Sequence, residues 1–316
     1  MENNTIVFML NLAGLSDIPS LPLFLVFLLV YLFTLIENLL ILILIFTDFH
    51  LQTPMYFFLG TLACLDMCYS SVTTPRMLFD LLKEKRTISV QACITQMFFF
   101  IFFCVSEVYV LALMSYDRYI AICRPLHYMQ IMSWKVCVQL VSSVLVFGVI
   151  YTLVHTIVLS KLTFCSSSVL QSFFCDLPQL LQISCSDTFI NILLVFILGI
   201  LFGLGILAVT FYPYITIIIT VLKIPSKDMK LKAFSTCSSH LTVVFLFYSS
   251  SCFNYFRSKE KDQFNNDKVA SVFYAILNPF LNPLIYSLRN RELKMSLKRI
   301  IASSIWFPVC CAGIFM

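Results

Sequence analysis

Seven long apolar runs, at about 23–47, 55–82, 91–123, 134–160, 190–222, 232–256 and 269–288, decide which solvent this chain can fold in. A helix that crosses a hydrocarbon layer needs about 20 mainly apolar residues, and each run is long enough. Charge falls mostly between the runs: 60% of the 316 residues are hydrophobic and 12% are charged. A water-soluble domain carries roughly a quarter of its residues as charges, so the mean hydropathy of +0.93 places this chain in a bilayer. The expected fold is an all-α membrane protein, a seven-transmembrane helix bundle at 23–288 between a short segment at 1–22 and another at 289–316.

No Lys or Arg precedes the first run, and no small-residue cleavage site follows it. The first run is therefore expected to act as its own insertion signal and not as a removable leader. Short loops rich in Lys and Arg stay in the cytosol. With the N-terminus outside, twelve such residues, Arg118 and Arg124 among them, fall on the cytosolic side and eight on the outer side. Acidic residues nearly neutralise the outer set and leave the inner one mostly unopposed. A multi-pass plasma-membrane protein with its N-terminus outside and its C-terminus in the cytosol is expected. Asn3, in Asn3-Asn4-Thr5, is then a glycosylation candidate. Residues 289–302 set Arg291, Lys294, Lys298 and Arg299 against Leu293, Leu297, Ile300 and Ile301, the pattern of a short amphipathic helix on the inner membrane surface. Cys310 and Cys311 in the apolar tail are candidates for acylation.

Other classes fare worse. The 13 cysteines form no CxxC pair, and the four histidines are widely separated with no HExxH, which argues against a zinc site and a metalloenzyme. A net charge of +5, scattered along the chain, does not point to nucleic acid. A membrane transporter or channel for a small solute is the rival reading. It predicts internal repeats and helices broken at mid-membrane, and the sequence has neither.

Polar residues inside the runs carry the chemistry. At a rise of about 1.5 Å per residue, Cys93 lies roughly 37 Å from Arg118 along the third run, and Glu107 about 16 Å from it, near mid-membrane. Asp66 reaches a similar depth on the second run. Two carboxylates in hydrocarbon need a shared proton, a cation or amide partners, and Asn38, Asn278 and Asn282 are candidate partners. The pair reads as a sodium or proton site or part of a switch, the alternative being a polar knot that packs helices. Glu37, alone in the first run, is expected to be protonated or to turn towards Asn38, Asp66 and the seventh run and not towards lipid.

Four segments together resemble the odorant-receptor family of rhodopsin-like G-protein-coupled receptors: Pro54-Met55-Tyr56-Phe57-Phe58-Leu59; Met114-Ser115-Tyr116-Asp117-Arg118-Tyr119-Ile120-Ala121-Ile122-Cys123 with Pro125-Leu126-His127-Tyr128; Lys232-Ala233-Phe234-Ser235-Thr236-Cys237-Ser238-Ser239-His240-Leu241; and Asn282-Pro283-Leu284-Ile285-Tyr286-Ser287-Leu288-Arg289-Asn290. They occur in the family's order and spacing over about 10–295. The resemblance implies a small-molecule odorant as ligand and a heterotrimeric G protein as partner, with a stimulatory, olfactory-type alpha subunit that raises cyclic AMP. It implies an activation switch at Asp117, Arg118, Tyr119, Tyr214, His240, Tyr248, Asn282, Pro283 and Tyr286, in which Asp117 holds Arg118 in one state and releases it in another; the alternatives are positive-inside anchoring with interfacial tyrosines at Arg118 and a satisfied structural histidine at His240. Four cysteines allow three pairings; the resemblance selects Cys93–Cys175 and Cys165–Cys185. No cofactor is expected, a sodium ion at Asp66 and Glu107 being the one candidate.

The ligand cavity is expected in the outer half of the bundle. Helical spacing upward from Arg118 gives Phe100, Ile101, Cys104, Val105 and Val108. The fifth run offers Leu198 and Phe202, the sixth Ser251, Cys252 and Tyr255, and the seventh Val272, Tyr274 and Ala275. Plain core packing is the alternative for each. The outer part of the third run has no Asp or Glu and the seventh no Lys, which disfavours an amine receptor and a retinal Schiff base. Glu37, Ser115, Pro213, Met229 and Ser249 depart from the family pattern.

Overall fold

Proline and serine mark where the apolar runs become helices. Pro22 sits in the first turn of the first span (Leu21–Thr47) and Pro54 opens the second (Pro54–Leu81), positions whose backbone N–H would lack a partner anyway. Ser89 caps the third (Val90–Cys123), its hydroxyl accepting from the Ala92 N–H at 3.2 Å. The fourth (Trp134–Leu159), fifth (Phe189–Leu222) and sixth (Lys227–Tyr255) spans follow. The seventh begins with a wide helical stretch, Phe273–Leu277, and continues as Asn278–Arg289. The computed structural model describes residues 8–15, 18–165, 169–223, 227–255, 271–290 and 292–300.

The ends agree with the apolar runs to within a residue or two at the first five spans. The sixth starts at Lys227 and not near 232, because a helix can continue past the membrane on residues that hydropathy does not count. Among the described residues, five spans are long and apolar enough to cross a membrane by length and composition. Pro75, Pro213 and Pro283 lie inside helices.

The third span is the axis of the bundle. Val110, Leu111 and Met114 are buried against Phe58, Leu62, Val243, Val244, Phe247 and Tyr286 from the second, sixth and seventh spans. The first and fifth spans instead turn large apolar side chains outward, as a lipid solvent requires: Phe46 is 78% and Leu201 63% exposed.

At one end, here called the disulfide end, Met9–Leu12 forms the middle strand of a small sheet. It pairs antiparallel with Thr87–Ser89, Leu10 opposite Ile88, and parallel with Val169–Leu170, Asn11 opposite Val169. The Arg86 guanidinium fastens the segment by donating to the Ala13 carbonyl at 2.7 Å and to that of Asp80 at 3.1 Å. Gly14 lies against it with φ +72°, where a Cβ would stand 2.5 Å from Arg86 Nη1. Both disulfides implied by the family resemblance are present, Cys93–Cys175 with Cα atoms 5.4 Å apart and Cys165–Cys185 with 6.0 Å.

At the opposite, arginine end, residues 292–300 form the expected helix. Asn290 Oδ1 caps it by accepting from the N–H groups of Glu292 (2.9 Å) and Leu293 (3.2 Å), and the Tyr56 hydroxyl donates to Glu292 Oε2 at 2.9 Å. Leu293 is buried while Lys294, Lys298 and Arg299 are exposed. Asn3, Arg291, Ile301, Cys310 and Cys311 lie outside the described residues.

Asp48, in the turn after the first span, ties this helix down. Its Oδ2 accepts from Arg299 Nε (3.1 Å) and Nη2 (2.5 Å), and its Oδ1 bonds His50 Nδ1 at 2.9 Å. The Ser296 hydroxyl beside it, then Arg299 and His50, hold the Asp48 carboxyl well below the usual carboxylate range. A carboxyl whose folded value is depressed stabilises fully above its unfolded value, near 4, and loses that contribution as pH falls through the folded value. Hydrogen-exchange protection of 292–300 should therefore be flat from neutral pH to about 4 and fall only in stronger acid. Asp48→Asn should exchange faster already at neutral pH; equal protection in this variant would refute the tie.

Candidate functional site

Aromatic residues fill the disulfide half of the bundle. Phe100, fully buried, stacks with Tyr69 of the second span (centroids 5.1 Å apart), lies 4.7 Å from Phe174 of the segment that follows the fourth span, and meets Tyr274 edge-on at 5.7 Å. One turn further along, Cys104 Sγ bonds the Tyr274 hydroxyl at 2.7 Å and joins the third and seventh spans. Gln96 anchors the roof of this cage. Its Nε2 donates to the Val72 carbonyl and its Oε1 accepts from the Cys175 N–H, each at 3.0 Å, so the disulfide and Gln96 together hold Phe173 and Phe174 over Phe100.

Of the expected cavity residues, Phe100, Cys104, Tyr274 and Ala275 are thus gathered, with Ile101 and Val272 packed on their flank. Val105, Val108 and Leu198 are half-buried. Phe202 belongs to a separate cluster, 4.9 Å from Phe147 and 6.1 Å from Tyr151 of the fourth span. The Ser251 hydroxyl donates to the Phe247 carbonyl of its own helix at 2.8 Å, a bond that leaves its oxygen able to accept. The side chains of Cys252 and Tyr255 lie outside the described residues. Tyr69, Phe173, Phe174 and Tyr151 escaped the sequence reading. Phe173 and Phe174 were within reach of it, since a Cys93–Cys175 bridge must carry the residues before Cys175 to the head of the third span.

At mid-membrane the three asparagines serve three different helix pairs. Asn282 Nδ2 donates to Asp66 Oδ1 at 3.0 Å, joining the seventh and second spans. Asn38 donates to the carbonyls of Thr34 (2.9 Å) and Pro279 (3.4 Å), and Asn278 to the Ser250 hydroxyl (2.8 Å). Of the three candidate partners, Asn282 alone hydrogen-bonds the carboxyl pair among the described residues. Glu107 is fully buried beside the Asp66 carboxyl, and neither of its oxygens is reached by an N–H or hydroxyl donor among those residues. Glu37 is half-buried, with its Oε2 shielded inside the protein and without a hydrogen-bond partner among the described residues.

At the arginine end, Arg118 folds back on its neighbour: Nε donates to Asp117 Oδ2 at 3.0 Å, and Nη2 donates to the same oxygen. The other oxygen, Oδ1, accepts from the Tyr128 hydroxyl at 2.8 Å. Asp117 is fully buried, so both partners are needed to satisfy its charge. Burial and the Asp117 charge push the Tyr128 phenol up, which keeps it a donor. Tyr214 is bonded to His240 Nδ1 and not to Arg118, and Tyr286 stands with its ring 6.4 Å from the imidazole. Tyr119 packs on the cluster of Tyr214, Ile217 and Val221, and Tyr248 bonds Thr210 at 3.2 Å. Pro283 lies between Asn282 and Tyr286 in the same helix. Of the expected switch residues, Tyr214, His240 and Tyr286 are thus gathered and Asp117 clasps Arg118, while Asn282 and Tyr248 bond other partners. Beside the clasp, Cys123, Arg124, Pro125, Leu126, His127 and Ile131 line an open cleft of about 470 Å³.

A sequence model of the olfactory receptor family matches residues 27–304. The chain belongs to that family. Olfactory receptor-like protein COR5 of Gallus gallus is 50% identical over 297 residues, 93% of this chain and 95% of its own. An olfactory receptor of Mus musculus is 46% identical over 302 residues, 95% of this chain and 97% of its own. Squid rhodopsin shares the fold, with a TM-score of 0.68 at 18% identity over 90% of this chain and 84% of its own. This olfactory receptor is accordingly a multi-pass protein of the plasma membrane, a signalling receptor and not an enzyme, whose family takes small-molecule odorants and works through G proteins. Membership sets the transporter reading aside. The clasp at Arg118 and the ring cage at Phe100 thus lie about 27 Å apart along the third span.

Proposed function

We propose that the receptor binds small, neutral, mostly apolar molecules between the third, fifth, sixth and seventh spans at the disulfide end. Binding there biases the bundle towards a state in which Asp117 releases Arg118 to a stimulatory, olfactory-type G protein, raising cyclic AMP. The observation that carries this reading is the ring cage of Phe100, Tyr69, Phe174 and Tyr274, whose polar handle is the Cys104–Tyr274 bond. The fifth and seventh spans contain no Lys, Arg, Asp or Glu from Phe189 to Leu222 or from Ser271 to Leu288. A charged ligand would leave water unpaired there, at a cost of several kcal/mol, whereas a single carbonyl, hydroxyl or ether could meet the Tyr274 hydroxyl.

Orientation follows from chemistry. Disulfides persist in oxidising compartments, so the disulfide end with the N-terminus faces outside and the arginine end faces the cytosol, in keeping with the excess of Lys and Arg there. At mid-membrane, Asp66 and Glu107 hold a proton or a sodium ion. The buried Glu107 carboxyl, beside that of Asp66, fits either, since two carboxyl groups in hydrocarbon need a shared proton or a cation between them.

Cells displaying the receptor and a cyclic AMP reporter test the ligand class. Matched volatiles, each a carboxylate or amine paired with its neutral ester or alcohol, should separate cleanly: neutral members active at micromolar concentrations, charged members silent. Because a methylene is worth only about 1–3 kcal/mol in such a pocket, several homologues should be active. Strong activation by the charged members with silent neutral partners would overturn the reading.

A further inference from the structure

We infer that Thr73, on the second span, is a ligand contact that gives the receptor a preference for a carbonyl oxygen, its hydroxyl donating to the odorant within the ring cage. The inference rests on the proposed ligand class and names the protein atom that meets the ligand's oxygen. Helix geometry sets its place. Asp66 faces the third and seventh spans, where it meets Glu107 and Asn282. Thr73 lies seven residues on, two turns and about 10 Å nearer the disulfide end, on the same face of the helix. The same step along the other two spans leads from Glu107 to Phe100 and, within a residue, from Asn282 to Tyr274. Thr73, Phe100 and Tyr274 therefore share one layer, that of the ring cage. Tyr69, one turn from Thr73, stacks on Phe100 at 5.1 Å, and Gln96, one turn beyond Phe100, donates to the Val72 carbonyl at 3.0 Å. These contacts hold the second span against the third on either side of Thr73.

The hydroxyl sets this threonine apart. A helical threonine commonly returns its hydroxyl to the carbonyl one turn back. Thr61 does so in the same span (3.0 Å, to Phe57), as do Thr34 in the first (2.8 Å, to Val30) and Thr210 in the fifth (2.7 Å, to Ile206). Thr73 is fully buried, and its Oγ1 has no hydrogen-bond partner among the described residues. A buried hydroxyl left so is costly, and aromatic rings satisfy its proton poorly. The Tyr274 hydroxyl is already shared with Cys104. What completes the layer is an acceptor with an apolar body: a ketone, aldehyde or ester, whose oxygen takes the Thr73 proton while its chain lies on the rings. An alcohol brings a proton of its own and fits less well. Thr74 is as deeply buried and also unpartnered among the described residues, but it stands about 100° round the helix, on the side of Ser70 and Leu78.

The test uses cells displaying the full-length receptor, a homologous series of methyl ketones, and the alkene that matches the best ketone with C=CH2 in place of C=O. Wild type should respond to the ketone at a lower EC50 than to the alkene. Thr73→Val keeps the shape and removes the hydroxyl. It should raise the EC50 of the ketone about tenfold, the loss of one hydrogen bond, and leave that of the alkene within about twofold. Thr73→Ser, which keeps the hydroxyl, should stay within about threefold of wild type for the ketone, and Thr74→Val within about twofold. Should Thr73→Val fail to reach the surface, Thr73→Ala removes the same group. The inference is overturned if the displayed variant leaves the ketone's EC50 unchanged or raises ketone and alkene equally, or if Thr73→Ser or Thr74→Val loses as much. A wild-type receptor that answers neutral alcohols but no carbonyl compound refutes this inference and leaves the proposed ligand class standing; one that answers charged members alone refutes both.

Discussion

Arg118→Ala is expected to reduce ligand-stimulated signalling to background while surface display stays near that of wild type. In the proposed switch the guanidinium is the group that the receiving state frees, so its loss removes the contact offered to the G protein and not one that builds the fold. Asp117, left without its cation, keeps the Tyr128 hydroxyl at 2.8 Å, and this limits the damage to the buried carboxylate. Tyr128→Phe provides the opposite case. It weakens the hold on Asp117 without touching Arg118, and a hydrogen bond to a charged group is worth about 1.5–3 kcal/mol. Ligand-independent cyclic AMP should therefore rise, by about tenfold for each 1.4 kcal/mol lost by the clasped state. Full signalling in a well-displayed Arg118→Ala receptor would remove the arginine from the mechanism.

Cys93→Ser should nearly abolish display. The bridge closes a loop with a sequence separation of 82 and fixes the roof of the ring cage, since Phe173 and Phe174 immediately precede Cys175. Losing a native disulfide costs about 2–5 kcal/mol. Here it also frees the Cys175 thiol among other cysteines in an oxidising compartment. Cys93→Ser combined with Cys175→Ser removes that second hazard and should display better than either single change, though below wild type. Peptide mapping without reduction distinguishes the pairings: a Cys93–Cys165 linkage would contradict the structure.

The bundle was legible because a bilayer leaves so few solutions. Apolar length gave the first five spans nearly to the residue, and Lys294 and Lys298 against Leu293 gave the helix at the membrane surface. What eluded the sequence are the features that depend on contact between distant residues. The wide stretch at Phe273–Leu277 has no compositional mark. The Asp48–Arg299 tie spans most of the chain, and nothing local announces it. Asn38, Asn278 and Asn282 look equivalent at mid-membrane, yet only their helix rotations decide that Asn282 takes Asp66 while the others serve neighbouring helix pairs. For the ligand region, helical spacing found the face of the third span but not Tyr69 or Phe174, which reach it from other elements.

The central claim is that a molecule received at the disulfide end changes what the arginine end offers to a G protein, and nucleotide exchange measures this directly. The purified receptor, reconstituted in a bilayer with a stimulatory heterotrimer, would be titrated with a neutral agonist while exchange on the alpha subunit is followed. The account predicts exchange that accelerates with agonist and saturates over the same concentrations at which the agonist binds. Saturable binding of that agonist with the exchange rate unchanged would contradict it.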